Sequence, residues 1–351
     1  MFFIHDHHIF LLRDREGVRM AECDCRCDCR AIRNVSSELT FKDHLGSLRV
    51  RCGIGRMSYR VDPGLYSVGE PDDTSPVFVC ANYKLTFDSL RKELSGMDCY
   101  ILILDTKGVN VWCAAGKGTF GTEELVNRIT SVELKEVVSH RTLLLPQLGA
   151  PGMSAHEVER RTGFDVVYGP VRASDIKRFL DSGMKATDDM RTVKFTTRDR
   201  TVLTPVEFAA AMKVSLIVFG MMFLLNMFTG TDFGPEDVAA YLGAVIMGTV
   251  VTPILLPIIP GRAFSVKGWI VGIGWMIFII WMFGWHQTDL FTAVGYMLIL
   301  PSLSAYLAMN FTGSSTFTSL SGVKKEVRLA LPVMMLTITI GIIILVAGKV
   351  I

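Results

Sequence analysis

The chain has 351 residues, of which half are hydrophobic and 20% are charged, and its formal net charge is +2. Only seven of the 36 basic and six of the 34 acidic residues lie in residues 206–351. These values exclude a wholly disordered chain, a collagen-like rod and a purely soluble enzyme. A near-neutral chain without a basic stripe also gives no indication of nucleic-acid binding. The composition therefore predicts a soluble part followed by a membrane part.

The first segment in chain order is a tail, residues 1–41, which we predict to be disordered. It contains four cysteines at alternate positions, Cys23, Cys25, Cys27 and Cys29. Zinc and iron–sulfur sites use wider cysteine pairs, although an extended tail would present all four thiols on one side. A soft-metal site therefore remains the alternative to a solvated tail.

The next segment, residues 42–185, has the pattern of an α/β domain. Apolar strands are predicted at residues 77–81, 100–105, 142–145 and 164–168, and helices at 86–94, 122–129, 154–161 and 174–180. Continuous apolar strands that alternate with helices are typical of a parallel sheet covered on both faces. The prediction is an open, parallel-sheet, Rossmann-like domain. Ligands of such folds bind at the carboxyl ends of the strands, here at residues 82–86, 106–121, 146–152 and 169–172.

The turn at residues 106–121 contains glycines and a cysteine whose spacing does not identify a ligand. Gly116, Gly118 and Gly121 spell G-x-G-x-x-G, but they come well after the strand ends, so the indication of a dinucleotide site is weak. A Walker loop is excluded because Val111 occupies the position of its first glycine. Cys113 is flanked by small residues, which leaves two alternatives: a buried core cysteine or a thiol that binds a soft metal.

The last part, residues 209–351 after a linker at 186–208, is predicted to be an all-α bundle of five transmembrane helices. Each needs about 20 apolar residues, and residues 209–228, 238–259, 268–285, 290–309 and 329–347 provide them. The distribution of Lys and Arg in the loops places residues 1–205 in the cytoplasm. We therefore expect a multi-pass protein of the inner, cytoplasmic membrane, whose bundle contacts lipid and lacks the charged pairs of an ion pathway.

A resemblance adds to this interpretation. Residues 110–122, Asn-Val-Trp-Cys-Ala-Ala-Gly-Lys-Gly-Thr-Phe-Gly-Thr, resemble the signature of the mercury-methylating corrinoid proteins, membrane-anchored relatives of the large subunit of corrinoid iron–sulfur proteins. Residues 76–83, 140–152 and 311–319 are similar to the same family. That family joins a cytoplasmic corrinoid-binding α/β domain to a C-terminal membrane bundle.

The resemblance implies a set of site residues. Cys113 corresponds to the catalytic cysteine of the family's cap helix, which is the lower axial cobalt ligand of a base-off corrinoid, a cobalamin. The cap motif around the macrocycle comprises Asn110, Val111, Trp112, Cys113, Ala114, Ala115, Gly116, Lys117 and Gly118. Thr86, at the start of the first predicted helix of the α/β domain, is added to the cofactor-binding set from fold geometry alone.

The implied activity is transfer of a methyl group from cobalt to Hg(II), which forms methylmercury. The implied partners are methyltetrahydrofolate or its methyltransferase as methyl donor, and a ferredoxin-like protein with two four-iron, four-sulfur clusters as electron donor. Three alternatives remain open. They are a membrane-anchored corrinoid methyl carrier of acetyl-CoA-type C1 metabolism, a non-catalytic corrinoid-binding receptor, and a nucleotide-binding membrane protein that uses residues 116–121.

Overall fold

The computed structural model describes residues 32–229 and 234–350. These residues form two compact units. The α/β unit comprises residues 32–50 and 54–194, and the helical unit comprises residues 51–53 and 195–350. The four closely spaced cysteines of the N-terminal segment lie outside the described residues.

The α/β unit contains one six-stranded sheet. Its strands are β1 (Arg33–Asn34), β2 (Gly64–Val68), β3 (Val77–Ala81), β4 (Cys99–Leu104), β5 (Thr142–Leu145) and β6 (Asp165–Tyr168). The spatial order is β1-β2-β4-β3-β5-β6, and β4, β3, β5 and β6 run parallel, as predicted. The expectation of an entirely parallel sheet is wrong at one edge, where β2 pairs antiparallel with β4. The sequence analysis missed β2 because Ser67 interrupts its apolar run and its ends give no periodic pattern.

Eight helices accompany the sheet in the described part of this unit. They are α1 (Phe41–Arg51), α2 (Lys84–Glu93), α3 (Val111–Lys117), α4 (Thr122–Ser131), α5 (Leu134–Val137), α6 (Ala155–Thr162), α7 (Ile176–Asp181) and α8 (Asp188–Arg191). Alternate residues of each strand face opposite sides of the sheet, so two cores form. Leu125 of α4 and Val158 of α6 pack in one core, while Phe87 of α2 and Phe179 of α7 pack in the other. Each fully buried side chain of this size stabilises the fold by roughly 1.5–3 kcal/mol.

The order of the strands creates a crevice at one position. From β3 the chain continues into α2 on one face of the sheet, whereas from β5 it continues into α6 on the other face. The two strands are neighbours in the sheet. Because the connections leave in opposite directions, the space outside the carboxyl ends of β3 and β5 is the expected ligand position of an open α/β sheet.

The helical unit contains α9 (Thr197–Thr229), α10 (Pro235–Ile246), α11 (Thr252–Ile254), α12 (Phe264–Met282), α13 (Trp285–Thr288), α14 (Leu290–Asn310) and α15 (Leu320–Val350). Five stretches are long and apolar enough to cross a membrane, namely Thr197–Leu224, Pro235–Ile254, Phe264–Met282, Leu290–Asn310 and Ser321–Gly348. The number and approximate positions of the predicted helices are confirmed. Helix α9 begins at Thr197, inside the segment predicted as a linker, residues 186–208.

Helix α12 packs closely on α14 through glycines. An ideal Cβ added at Gly268 would lie 2.6 Å from the Cα of Ala305, and one at Gly272 would lie 2.7 Å from the Cα of Pro301. Small residues at such contacts let helix backbones approach one another, as is typical of membrane bundles.

The second apolar stretch ends in an unusual way. After α10 the chain makes a π-helical turn, Met247–Val251, and helix α11 ends at Ile254. The carbonyl oxygens beyond this point accept hydrogen bonds from buried cations: Arg200 donates to Ile254, and Lys267 donates to Leu256 and Ile259. Carbonyls at a helix end have no intrahelical partner, so these two side chains satisfy carbonyl groups that the helix itself leaves unpaired.

Candidate functional site

A cavity of about 320 Å³ lies at the carboxyl ends of β3 and β5. All four turns that the sequence analysis assigned to ligand binding contribute to it, through Thr86, Asn110, Pro146 and Gly169 among others. Its walls are mostly apolar and include Phe78, Val79, Leu90, Val111, Trp112, Leu144, Leu148, Val171, Ile176 and Phe179. An apolar crevice with a few polar groups is the usual form of a small-molecule or cofactor site.

The turn that follows β4 is held by Asn82, which is buried and immediately follows β3. Its side-chain oxygen accepts hydrogen bonds from the backbone N–H of Thr106 at 3.1 Å and of Gly108 at 2.9 Å. Its Nδ2 donates to Asp105 at 3.1 Å, and Glu124 of α4 accepts from the Asp105 backbone N–H at 2.8 Å. Five residues separated by up to 42 positions in sequence thus fix the path of the chain into α3.

Asp105 is held in its charged form by the same turn. Burial alone raises the pKa of its carboxyl, but hydrogen bonds from Lys107 and Asn82 lower it to a net value below the ordinary one. The carboxylate therefore remains an acceptor that supports the turn at neutral pH.

Helix α3 has a defined beginning and end. The side chain of Asn110 accepts a hydrogen bond from the Cys113 backbone N–H at 2.9 Å, which is the preferred arrangement at a helix N-cap. Gly118 ends the helix with φ of 78°, a conformation that glycine adopts without strain. Val111, Ala114 and Ala115 are buried.

The other face of α3 is open. Its exposed residues are Trp112, Cys113, Gly116 and Lys117. A Cβ added at Gly116 would meet no atom within 4 Å. Of the four cysteines in the described residues, Cys113 is the exposed one, while Cys80 and Cys99 are buried and Cys52 is partly buried.

A glycine-rich loop keeps α3 in position. A Cβ at Gly152 would overlap the carbonyl oxygen of Phe120 and lie 3.1 Å from the Cα of Ala115. A Cβ at Gly149 would lie 2.5 Å from Cε1 of the Phe120 ring. The backbone contacts at Gly152 allow no side chain, so the loop Gln147–Gly152 approaches α3 this closely only with glycine at that position, while a side chain at Gly149 would require the Phe120 ring to move.

The sequence-predicted residues divide into three groups in the structure. Thr86, Asn110, Val111 and Trp112 line the cavity. Cys113, Gly116, Lys117 and Gly118 lie at exposed positions of α3 or its end, and Ala114 and Ala115 belong to the core beneath it. The G-x-G-x-x-G pattern does not form a phosphate loop, because Gly116 lies within α3, Gly118 ends it and Gly121 precedes α4.

Several cavity residues were missed by the sequence analysis. Ser89 and Leu90 lie three and four positions after Thr86, on the same face of α2, and both line the cavity. Cys80 also lines it, and burial raises the pKa of its thiol to about 12, so that this thiol is neutral at physiological pH. The helical spacing around Thr86 was a usable indication of the first two residues.

His140 lies at the opposite end of the sheet from the cavity. Its Nε2 is 2.9 Å from the carbonyl oxygen of Ser75, and its Nδ1 accepts from the Thr142 backbone N–H. It precedes the amino end of β5, whereas the cavity lies at the carboxyl end. Within residues 32–229 and 234–350, no group of three or more His, Cys, Asp and Glu side chains is arranged to hold a metal ion.

Residues 50–180, which include the cavity, are similar to known proteins. Residues 50–180 match the family described as CO dehydrogenase/acetyl-CoA synthase delta subunit. This part of the chain resembles corrinoid proteins. It is 34% identical over 128 residues to the acetyl-CoA decarbonylase/synthase complex subunit gamma of Methanopyrus kandleri, and 32% identical over 127 residues to the corrinoid/iron-sulfur protein large subunit of Moorella thermoacetica.

The similarity covers only part of each protein. It includes 36% of this chain and 27–28% of the two relatives, so the chain spans about a quarter of the length of the curated relatives that it matches. The matched residues contain β3 to β6, the cavity and helix α3. The five apolar helices lie outside them. The matches show that residues 50–180 are similar to corrinoid-related proteins, and neither of the two relatives described above is named for mercury methylation.

Proposed function

We propose that this protein is a membrane-anchored, corrinoid-dependent methyltransferase that transfers a methyl group to Hg(II) and forms methylmercury. The observation that carries the proposal is the position of Cys113. It is exposed on a capped helix beside an apolar cavity, at the carboxyl ends of the parallel strands. The signature-like sequence of residues 110–122 supports the mercury-specific part of the proposal.

The residues of this site fit a corrinoid. A thiol is a suitable donor for cobalt, and Cys113 is accessible. Gly116, one turn later on the same face, leaves open space where any other residue would place a Cβ. A broad, flat macrocycle needs such a face, with small residues near the donor and apolar walls beside it.

When bound, the corrinoid would supply a cobalt centre able to carry a methyl group between a donor and an acceptor. Cys113 would bind cobalt as a thiolate, because metal-bound cysteine is deprotonated. Asn110 fixes the backbone at Cys113 through its hydrogen bond, and Asn82 fixes the turn that leads to it. Trp112 and Thr86 line the adjoining cavity and would contact the edge of the cofactor.

The proposed reaction requires three further participants. The methyl donor is methyltetrahydrofolate or its methyltransferase, and the acceptor is Hg(II). Because Hg(II) must receive the methyl group together with a bonding electron pair, the cycle needs two electrons from a reductant. We assign this role to a ferredoxin-like protein with two four-iron, four-sulfur clusters. The five apolar helices would hold the protein in the inner membrane, with the α/β unit in the cytoplasm, as the basic loops indicate.

A second candidate is a membrane-anchored methyl carrier of acetyl-CoA-type C1 metabolism. The names of the matched relatives, subunits of acetyl-CoA decarbonylase/synthase complexes, favour it. Both candidates use the same cofactor site and differ in the acceptor. A receptor that binds a corrinoid without catalysis is the third possibility, and it predicts no transfer to either acceptor.

The full-length protein, reconstituted with a corrinoid, a methylated folate and the reduced iron–sulfur partner, tests the proposal. We expect methylmercury from thiolate-bound Hg(II). Cys113→Ala should abolish this product and the absorption features of sulfur–cobalt ligation, because alanine has no donor atom. Cys52→Ala, which changes a cysteine outside the cavity, is the matched control and should retain both.

Three results would contradict the proposal. Full activity of Cys113→Ala would remove the role of the thiolate. Transfer of the methyl group to an acetyl-CoA synthase but not to Hg(II) would establish the second candidate. Corrinoid binding without methyl transfer to either acceptor would support the non-catalytic receptor.

A further inference from the structure

Helix α1 exposes a stripe of large apolar side chains. Phe41, Leu45 and Leu48 have 80%, 46% and 60% of their surface exposed, respectively. Their spacing of four and three residues places them on one face of the helix. On the opposite face Val50 is buried, and Asp43 pairs with Lys84 and Arg91 of α2. Helix α1 therefore covers the unit with one face and presents an apolar stripe on the other.

Basic residues lie on both sides of this stripe. By helical spacing, Lys42 and Arg49 flank one edge, and His44 and Arg51 flank the other. The helix has one acidic residue, Asp43, and this carboxylate points inward, where it pairs with Lys84 and with Arg91. The outer surface of α1 thus combines apolar and cationic groups and has no anionic one.

The apolar surface continues past the helix. Ile54 is 52% exposed and Met57 is 69% exposed. Arg51, the last residue of α1, and the two residues that follow it, Cys52 and Gly53, belong to the helical unit. A Cβ at Gly53 would lie 3.7 Å from Cγ2 of Val206, a residue of the first apolar stretch. Gly53 therefore packs within the helical unit.

We propose that α1 is a membrane-interface helix that binds the surface of an anionic lipid bilayer. Phe41, Leu45 and Leu48 would enter the boundary between headgroups and acyl chains, and Lys42 and Arg49 would contact lipid phosphates. An apolar stripe bordered by cations is the pattern of helices that lie in this boundary. Long basic side chains can reach the phosphates while their stems lie on the apolar surface.

The proposal goes beyond methyl transfer and rests on one part of the proposed function, the position of the five helices in a membrane. It gives the α/β unit a lipid contact of its own, separate from the five helices. A protein that docks on the same stripe is the competing occupant. The charge pattern favours lipid, because the cations follow both edges of the stripe instead of forming one patch.

The full-length protein in lipid nanodiscs tests this inference. The discs contain phosphatidylcholine and a phosphatidylglycerol with a photoactivatable diazirine in its acyl chain, and labelled peptides are identified by mass spectrometry. We expect label in residues 41–57 as well as in the five apolar helices. The double variant Leu45→Glu/Leu48→Glu should lose the label in residues 41–57 and keep it in the helices. Met184→Glu changes another exposed apolar residue of the α/β unit and should retain both labels.

A second measurement separates the charge from the apolar stripe. Label in residues 41–57 of the wild type should increase when phosphatidylglycerol replaces phosphatidylcholine as the bulk lipid. Lys42→Gln/Arg49→Gln should remove this increase. Amide hydrogen exchange of α2 and α4 serves as the check that each variant remains folded.

The results that overturn the inference are distinct from those that overturn the proposed function. If the five apolar helices are labelled and residues 41–57 are not, the proposal that α1 is an interface helix is wrong, while the membrane anchor remains supported. Absence of label in the helices as well would refute the membrane anchor and, with it, this inference. Amide hydrogen exchange of residues 41–57 could instead slow only after the iron–sulfur partner is added. That result would show that the stripe binds a protein and not lipid.

Discussion

Two asparagines determine where Cys113 lies. The buried side-chain oxygen of Asn82 accepts hydrogen bonds from Thr106 and Gly108. The side-chain oxygen of Asn110, which is only partly buried, accepts one from the Cys113 backbone N–H. A buried donor that loses its partner costs roughly 1–3 kcal/mol, so the hydrogen bonds to Asn82 strongly favour one path for the turn. The exposed thiol is therefore held by backbone geometry, without an ion pair to direct it.

Substitution of the N-cap tests this control. Asn110→Ala should weaken corrinoid binding about five-fold, because loss of an N-cap side chain costs about 1 kcal/mol in helix stability. Asn110→Ser retains an acceptor oxygen and should bind nearly as tightly as the wild type. Absorbance titration of the protein with corrinoid measures both. Equal affinities for the alanine and serine variants would contradict a capping role.

Two glycines near Cys113 should respond to alanine in opposite ways. Gly116→Ala places a methyl group in open space within a helix and should stabilise the unliganded fold by about 0.5–1 kcal/mol. The same methyl group should weaken corrinoid binding, if the macrocycle lies on this face. Gly152→Ala forces a methyl group against the Phe120 carbonyl and should destabilise the fold by about 1–3 kcal/mol.

Chemical denaturation and corrinoid titration of both variants provide the comparison. Unchanged corrinoid affinity in Gly116→Ala would indicate that the cofactor lies elsewhere.

At the scale of elements, an ionic cluster joins α1 to α2. Asp43 of α1 pairs with Lys84 and Arg91 of α2, and both cations also pair with Asp88. Arg91 further donates to the backbone carbonyls of Ser36 and Glu38. Arg91 and Asp88 are almost fully buried. Removal of one partner from such a cluster costs about 3–5 kcal/mol, because the remaining charges lose their compensation.

The cluster predicts how stability depends on pH. Burial alone raises the pKa of Asp43, but hydrogen bonds from Lys84 and Thr40 lower it to a net value well below the ordinary 3.8. Below pH 3.8 the unfolded chain binds a proton that the folded chain does not, so the contribution of Asp43 decreases as pH falls. It is fully present above this pH.

Asp43→Asn should therefore lower the free energy of unfolding at pH 7 and weaken its decrease in acid. Urea unfolding of residues 32–194 from pH 7 to pH 2 measures this. Asp62→Asn, at an ion pair whose carboxylate is 80% exposed, is the control and should show a small effect. Parallel acid profiles for the wild type and Asp43→Asn would refute the prediction.

At the scale of the whole molecule, the two units have different means of stabilisation. The α/β unit buries apolar residues on both faces of its sheet. The helical unit also buries apolar residues, and it adds close glycine contacts and hydrogen bonds to helix-end carbonyls from Arg200 and Lys267. Each unit has its own core, so we expect each to fold without the other.

Separation of the units provides the corresponding prediction. Residues 32–194 alone should bind a corrinoid with the affinity of the full-length protein, because the cavity and α3 lie within this unit. The same fragment should form methylmercury slowly, even with reductant supplied, if the bundle helps to position the partner or the substrate. Spectroscopic titration and product assay measure the two properties. A rate equal to that of the full-length protein would show that the bundle acts only as an anchor.

The sequence alone predicts much of this molecule. Short continuous apolar runs indicated β3 to β6, and amphipathic segments between them indicated their helices. Long uncharged stretches indicated the five apolar helices, because length and composition suffice for that prediction. The resemblance of residues 110–122 indicated Cys113 and its neighbours.

Other features depended on contacts between distant segments. The antiparallel strand β2 is defined by its pairing with β4, and local propensity does not specify a partner. The loop Gln147–Gly152 packs on one face of α3. This packing decides that Ala114 and Ala115 are buried while Cys113 is exposed. The inward position of Asp43, which leaves the outer face of α1 apolar and cationic, depends on Lys84 and Arg91, about 40 residues or more away. Tertiary structure decided these features, because each arises from side chains that meet only after the chain has folded.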